Sequence, residues 1–194
     1  MNHLVILVEE ESMQILLRDI LLPRLVEDAD QWITVVRHRG KTDLRKQIPV
    51  RLRSRWPEGT RFMILHDQDQ AECRALKAEL LALCREAGRP ETLVRIVCHE
   101  LESWYLGDLE AVGRALGQES LGQRAAQEKF REPDRLANAK QEMERLFLDH
   151  GPQGYKPRSG ARAIGPHMDP ARNRSHSFQV FIRGVVALAA ERRV

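Results

Sequence analysis

The segment LVILV, residues 4–8, is an unbroken apolar run that stops abruptly in three glutamates, Glu9, Glu10 and Glu11. Continuous rather than alternating hydrophobicity marks a strand covered on both faces, and such strands belong to parallel sheets flanked by helices. The same punctuation recurs along the first half of the chain. Met13, Leu16, Leu17, Ile20 and Leu21 return at helical spacing after Ser12, a candidate cap, and Pro23 is expected to end that helix. WITVVR (32–37) is rich in β-branched residues and reads as a second strand. A helix is expected from about 43 to 55, with Pro49 as a kink point. RFMILHDQD (61–69) is a third strand ending in acids. A helix over about 71–87 is closed by Gly88, and TLVRIVCHE (92–100) is a fourth strand, followed by a helix over about 101–116.

Repeated strand–helix alternation predicts an α/β fold with a mostly parallel central sheet and right-handed crossovers. The 194 residues suit a single domain. Its core spans about 1–117, and about 118–194 form a helical and irregular C-terminal extension. Within the extension, 118–135 read as exposed short helical pieces, 138–150 as a helix and 177–191 as an apolar helix. Residues 151–175 are rich in Gly, Pro and Arg and read as one long irregular stretch. That stretch carries Lys156, Arg158, Arg162, Arg172 and Arg174 against one acid, Asp169.

A net charge of +3 permits a polyanionic partner without demanding one. The three cysteines, Cys73, Cys84 and Cys98, form no CxxC pair and fit no zinc spacing. They read as small core residues in a reducing compartment. No apolar run approaches the roughly 18 residues of a membrane span, and the first residues lack a secretory pattern. A cytoplasmic protein without a membrane partner is expected. With 5% aromatic residues, a stacking platform for single strands is not expected, so any nucleic acid is held through its phosphates.

Ligands of open parallel sheets bind beyond the carboxyl ends of the strands. Three of the four expected strands end there in acids: Glu9 and Glu10, then Asp67 and Asp69, then Glu100 with Glu102 one step into the next helix. Alternation in extended backbone lets Asp67 and Asp69 point the same way. Carboxylates gathered on one rim repel one another, and a divalent cation offsets that repulsion. Magnesium or manganese, with hard oxygen ligands and retained waters, suits such a rim and polarises a phosphodiester. Against this, acids also favour helix N-termini, which suffices for Glu11 and largely for Glu10. Lys41, after Gly40, is placed to meet a phosphate, although no P-loop spacing is present. Lys156, Arg158 and Arg162 are candidate phosphate or nucleic-acid contacts, Lys156 also as a transition-state stabiliser. His66 and His99 read as core or sheet-face residues, and Ser175 or Ser177 as the cap of the last helix.

VEE after the first strand, HDQDQAEC after the third and CHELESWYLGD after the fourth resemble Toprim domains. The sequence is similar to an uncharacterised bacterial Toprim-like family, domain-of-unknown-function family 4276. The similarity extends through RGK (39–41), REPD (131–134), YKPRSGARAI (155–164) and NRSHSF (173–178). The resemblance implies magnesium-dependent strand cleavage or nucleotidyl transfer, as in primases and overcoming-lysogenization-defect-type nucleases. It implies Glu9 as general acid/base or metal ligand, Asp67 and Asp69 as metal ligands, and Glu102 as part of the site. It also implies a setting in bacterial defence against phage or mobile DNA. Two departures stand out. Glu10 occupies the place of a glycine common after the Toprim glutamate. Tyr105 and Tyr155 are the only tyrosines, with no separate domain to present a nucleophile, so topoisomerase activity is rejected.

Two other classes share the expected architecture. One is a non-catalytic binding or regulatory subunit on a degenerate Toprim scaffold, working with a partner subunit. The other is a receiver-like domain with Asp67 as phosphoacceptor, which needs a lysine after a fifth strand.

Overall fold

The computed structural model describes residues 3–192. Four strands, β1 (Leu4–Val8), β2 (Ile33–Arg37), β3 (Arg61–Asp67) and β4 (Leu93–Val97), form one sheet of order β2-β1-β3-β4. Every pairing is parallel, with Val8 opposite both Arg37 and Leu65, and Asp67 opposite Val97. The α/β architecture expected from the alternation is therefore the one observed. The chain runs outward from β1 to β2, then returns past β1 to β3. The direction of winding thus reverses between β1 and β3, which is where such sheets open a crevice at their carboxyl edge.

Alternating side chains feed two cores. Val5, Leu7, Phe62, Ile64 and Val94 pack under α4 (Lys41–Arg53) and α5 (Cys73–Glu86). Leu4, Ile6, Val8, Met63, Leu65 and Val97 face the remaining helices. These begin with α1 (Glu11–Gln14) and α2 (Leu22–Leu25), joined by a π-helical stretch over Ile15–Leu21, and α3 (Ala29–Trp32). They continue with α6 (Glu102–Leu106), α7 (Leu109–Leu116), α8 (Glu128–Arg131), α9 (Ala139–His150), α10 (Pro157–Ile164) and α11 (His176–Arg192). Ile164, Phe178 and Phe181 sit in the same core as the sheet. Among the described residues no helix is long and apolar enough to cross a membrane.

Several local expectations are corrected. Pro23 does not end its helix but sits in the first turn of α2, where its missing N–H is harmless after the widened π-turns. Ser12 is not a cap: it is buried and bonds Glu10. The 101–116 helix breaks at Gly107, and Asp108 caps α7 by accepting the Ala111 N–H. Residues 151–175 are not irregular throughout, since α10 and a 3₁₀ turn at Gly165–His167 lie inside them. Of the cysteines only Cys84 is fully buried; Cys73 and Cys98 are partly exposed.

The unusual strings prove to be joints. Asn173 donates to the Trp104 carbonyl at 2.8 Å, and Trp104 Nε1 donates to Ser177 Oγ at 3.0 Å. Arg172 grips the fully buried Asp108 with two nitrogens at 2.7 and 2.9 Å. Asp134 accepts from Ser175 Oγ and the Ser177 N–H, both at 2.6 Å, while Ser175 caps α11 through the Phe178 N–H. Arg172 and Arg174 are therefore structural: Arg174 donates to the Phe130 carbonyl.

Candidate active site at the carboxyl edge of the sheet

Parallel register puts the residues after β1, β3 and β4 at one level, and the acids follow. Oε1 of Glu9 accepts the Asp67 N–H at 2.8 Å and lies 2.8 Å from Nδ1 of His66. Burial, and then the charges of Glu9, Glu102, Glu10 and Asp69, push the Asp67 carboxyl well above the usual carboxylate range. Five carboxylates from three strand ends thus share one field, as the strand-end pattern anticipated.

Asp69 departs from the extended geometry expected for it. The strand stops at Asp67, and Asp69 is left-handed with φ 51°. His99, after β4, is left-handed too, with φ 57°, and its carbonyl accepts the Asp69 N–H at 2.7 Å. Two residues in a costly conformation, bonded to each other at the rim, hold the β3 and β4 loops together. The twist turns Asp69 toward Lys41, whose Nζ lies 2.7 Å from Oδ2. Lys41 opens α4 after Gly40, whose φ of 85° suits glycine and whose N–H bonds the Glu9 carbonyl. That hydrogen bond to Asp69 holds the lysine ammonium above its ordinary value.

Glu102 is buried, 5% exposed, at the start of α6. Burial raises its carboxyl to about 7, although the hydrogen bond it accepts from the Tyr155 hydroxyl, at 2.7 Å, works the other way. Beside it the fully buried Tyr105 hydroxyl has no hydrogen-bond partner among the described residues; burial and the charges of Glu102, Glu10 and Asp67 raise its ionisation well above the ordinary value. Glu100 turns away and caps α9, accepting the Lys140 N–H at 2.6 Å.

Next to the acids, a cleft of about 570 Å³ is lined by Arg37, Arg39, Lys156 and Arg158 together with Glu10 and Glu11. α10 carries Lys156 and Arg158 there, and Glu11 pairs with Arg37 and Arg158, both at 3.3 Å. The Lys156 ammonium has no partner among the described residues. Arg162 lies exposed one turn further along α10 and does not line this cleft. From sequence, Arg37 and Arg39 carry no site role, and His66 reads as a core or sheet-face residue, which its burial at the end of β3 bears out. Arg37 and Arg39 follow β2 as an ordinary-looking basic string, and the place of His66 depends on which strand lies beside β3.

Among the described residues no three His, Cys, Asp or Glu side chains already close around one point at ligand distance. The donor set still matches a hard divalent cation, which takes one or two carboxylates and keeps several waters. Asp67 and Glu9 would hold it, with Asp69 joining once Lys41 releases it.

Fold and rim together define an α/β domain with a largely buried acidic rim at the β1/β3 reversal and a basic cleft alongside. The chain belongs to the family described as Domain of unknown function (DUF4276), which matches residues 8–185. Its fold is similar to that of the C-terminal region of the Xanthomonas campestris pv. campestris OLD protein, at a TM-score of 0.50 and 18% identity, covering 98% of this chain and 97% of that one. No curated protein matches the sequence.

Proposed function

We propose that the protein is a divalent-metal-dependent nuclease of Toprim type, cleaving phosphodiesters of a nucleic acid with magnesium or manganese. The observation that carries this is the placement of a cluster of acids at the strand ends directly beside a basic cleft. One side of the arrangement suits a cation and the other a polyanion. The OLD-like fold and the Toprim resemblance of VEE and HDQD support the same reading. Bound metal would supply Lewis-acid activation of a phosphodiester and of a water. Glu9, Asp67 and Asp69, with Glu102 nearby, would hold it. Lys41, released from Asp69, with Lys156 and Arg158 would bind phosphates at the site, and Arg162, exposed one turn further along α10, would meet phosphates outside the cleft. With its pKa raised to about 7, Glu102 is suited to hold or yield a proton near neutral pH. By family resemblance the setting would be bacterial defence against phage or mobile DNA, in the cytoplasm that the cysteine usage suggests.

The test is manganese binding by calorimetry, wild type beside Asp67→Ala/Asp69→Ala, followed by cleavage assays on duplex DNA, single-stranded DNA and RNA. Binding and cleavage present in the wild type and lost together in the double variant are the expected result. Equal, negligible binding in both would overturn the proposal. It would favour the binding-subunit reading, which the Lys41–Asp69 pair supports because a lysine already neutralises one acid of the rim. The receiver-like alternative lacks its fifth strand among the described residues.

A further inference from the structure

Asp43, Gln47 and Arg51 recur every four residues along α4 and so share one face of that helix. Together with Arg37, His38 and Arg39, at the carboxyl end of β2, they line a cavity of about 360 Å³. Three guanidiniums stand there against one carboxylate. Asp43 is already engaged, since its Oδ2 accepts the Arg39 N–H at 2.9 Å. Arg37 pairs with Glu11, but the guanidiniums of Arg39 and Arg51 have no carboxylate partner among the described residues. Arg51 Nε is buried and has no hydrogen-bond partner among the described residues. A guanidinium only donates, so a buried and unpaired Nε–H needs an acceptor, and a phosphate oxygen suits it. His38 Nε2 is unpartnered as well. Its Nδ1 lies 2.9 Å from the Val8 carbonyl oxygen and so carries the proton, which leaves Nε2 an acceptor that takes no phosphate oxygen.

This cavity is continuous with the site already described. Arg37, His38 and Arg39 also line the basic cleft that holds Lys156 and Arg158. The cleft lies on the sheet face covered by α1 and α10, and the cavity on the face covered by α4. β2 is an edge strand, so no further strand separates the two. Positive charge thus wraps round the carboxyl end of β2 from one face of the sheet to the other. The pocket between α4 and α5 differs. Its cations, Lys41 and Arg45, are already paired with Asp69 and Glu79.

We propose that the cavity is a second phosphate-binding site, which holds the backbone of the same nucleic-acid strand after it leaves the cleft over the carboxyl end of β2, with Arg39 and Arg51 as its contacts. The strand takes this route, and not the one between α4 and α5, because here the guanidiniums are unpaired. The inference rests on the nucleic-acid reading for the identity of the polyanion and needs no metal.

The test is binding of a labelled single-stranded oligonucleotide, long enough to span both sites, to the metal-free protein. Fluorescence anisotropy over a series of salt concentrations counts the phosphates held. Each lost phosphate contact lowers the steepness of log K against log salt by about 0.7 on a single strand. Arg39→Gln and Arg51→Gln should each lower the wild-type steepness by that amount, and the double variant by twice as much. Lys46→Gln removes a charge from an exposed position of α4 outside the cavity and should leave the steepness unchanged. Wild-type steepness in the double variant, or an equal drop in Lys46→Gln, overturns the proposal. Arg39 is exposed, so Arg39→Gln decides the matter alone if Arg51→Gln folds poorly. A wild type that binds no oligonucleotide at any salt overturns the nucleic-acid reading itself, and the second site falls with it.

Discussion

The Tyr155 hydroxyl donates to Oε1 of Glu102 across 53 residues of chain, at 2.7 Å. That bond fastens the segment bearing Lys156 and Arg158 to the acid rim. It also depends on a missing side chain: a Cβ at Gly160 would lie 2.4 Å from the Tyr155 ring. Gly160→Ala should therefore displace the ring and cost about 1–3 kcal/mol, read as a lower denaturation midpoint. Tyr155→Phe should cost about 1 kcal/mol and leave the ring packed against Phe147. If the two variants destabilise equally, the close packing at Gly160 is not the constraint described here.

Glu102 sets a pH dependence of stability. Its folded pKa, about 7, exceeds the ordinary 4.5, so the native state binds more protons than the unfolded chain between those values. The stability this confers is complete below about 4.5 and is lost as pH rises through about 7, at about 1.4 kcal/mol per unit of difference. Metal-free protein should melt progressively lower across that window. Glu102→Gln should flatten the curve and raise the midpoint at pH 8. An unchanged slope in that variant would show that another group carries the effect.

Arg172→Ala leaves the buried Asp108 with only its backbone donors, the N–H groups of Ala111 and Asp169. A loss of about 2–3 kcal/mol is expected in chemical denaturation. Arg172→Lys should recover little of it, since a lysine cannot make the paired contact. Full rescue by lysine would count against the two-nitrogen grip.

Lys41 and Asp69 are both exposed at their tips, so the pair contributes little to stability. Lys41→Ala should shift the melting temperature negligibly, strengthen manganese binding by freeing Asp69, and raise KM for nucleic acid. Weaker manganese binding would mean that the lysine supports the rim instead of competing at it.

Much of the fold was readable because its two central strands are almost continuously apolar and the longer helices between strands carry periodic stripes. LVILV and RFMIL announced sheet positions buried on both sides, and the acids after them marked the carboxyl edge. The expectation failed where a local signal had two meanings. Pro23 is a stop only if the preceding turns are α-helical. The glycines and prolines of 151–175 mimic a loop, yet Pro157 starts α10 and Gly160 makes room for a tyrosine. Asp69 was placed by strand alternation, but the strand had already ended. That His66 lies beside Glu9 could not be read from its own neighbours in sequence, since only strand order and register bring the two together.

The joints between SWYLGD and NRSHSF also govern the order in which the molecule matures. Ribosomal synthesis delivers the four strands first and α10 and α11 last, and contacts of such long sequence separation form slowly. Until Tyr155 reaches Glu102 and Asn173 reaches Trp104, the newborn sheet presents its acids without the lysine and arginine that complete the cleft. Completion of the cleft would then be a late event in biogenesis, reached only once the C-terminal helices dock.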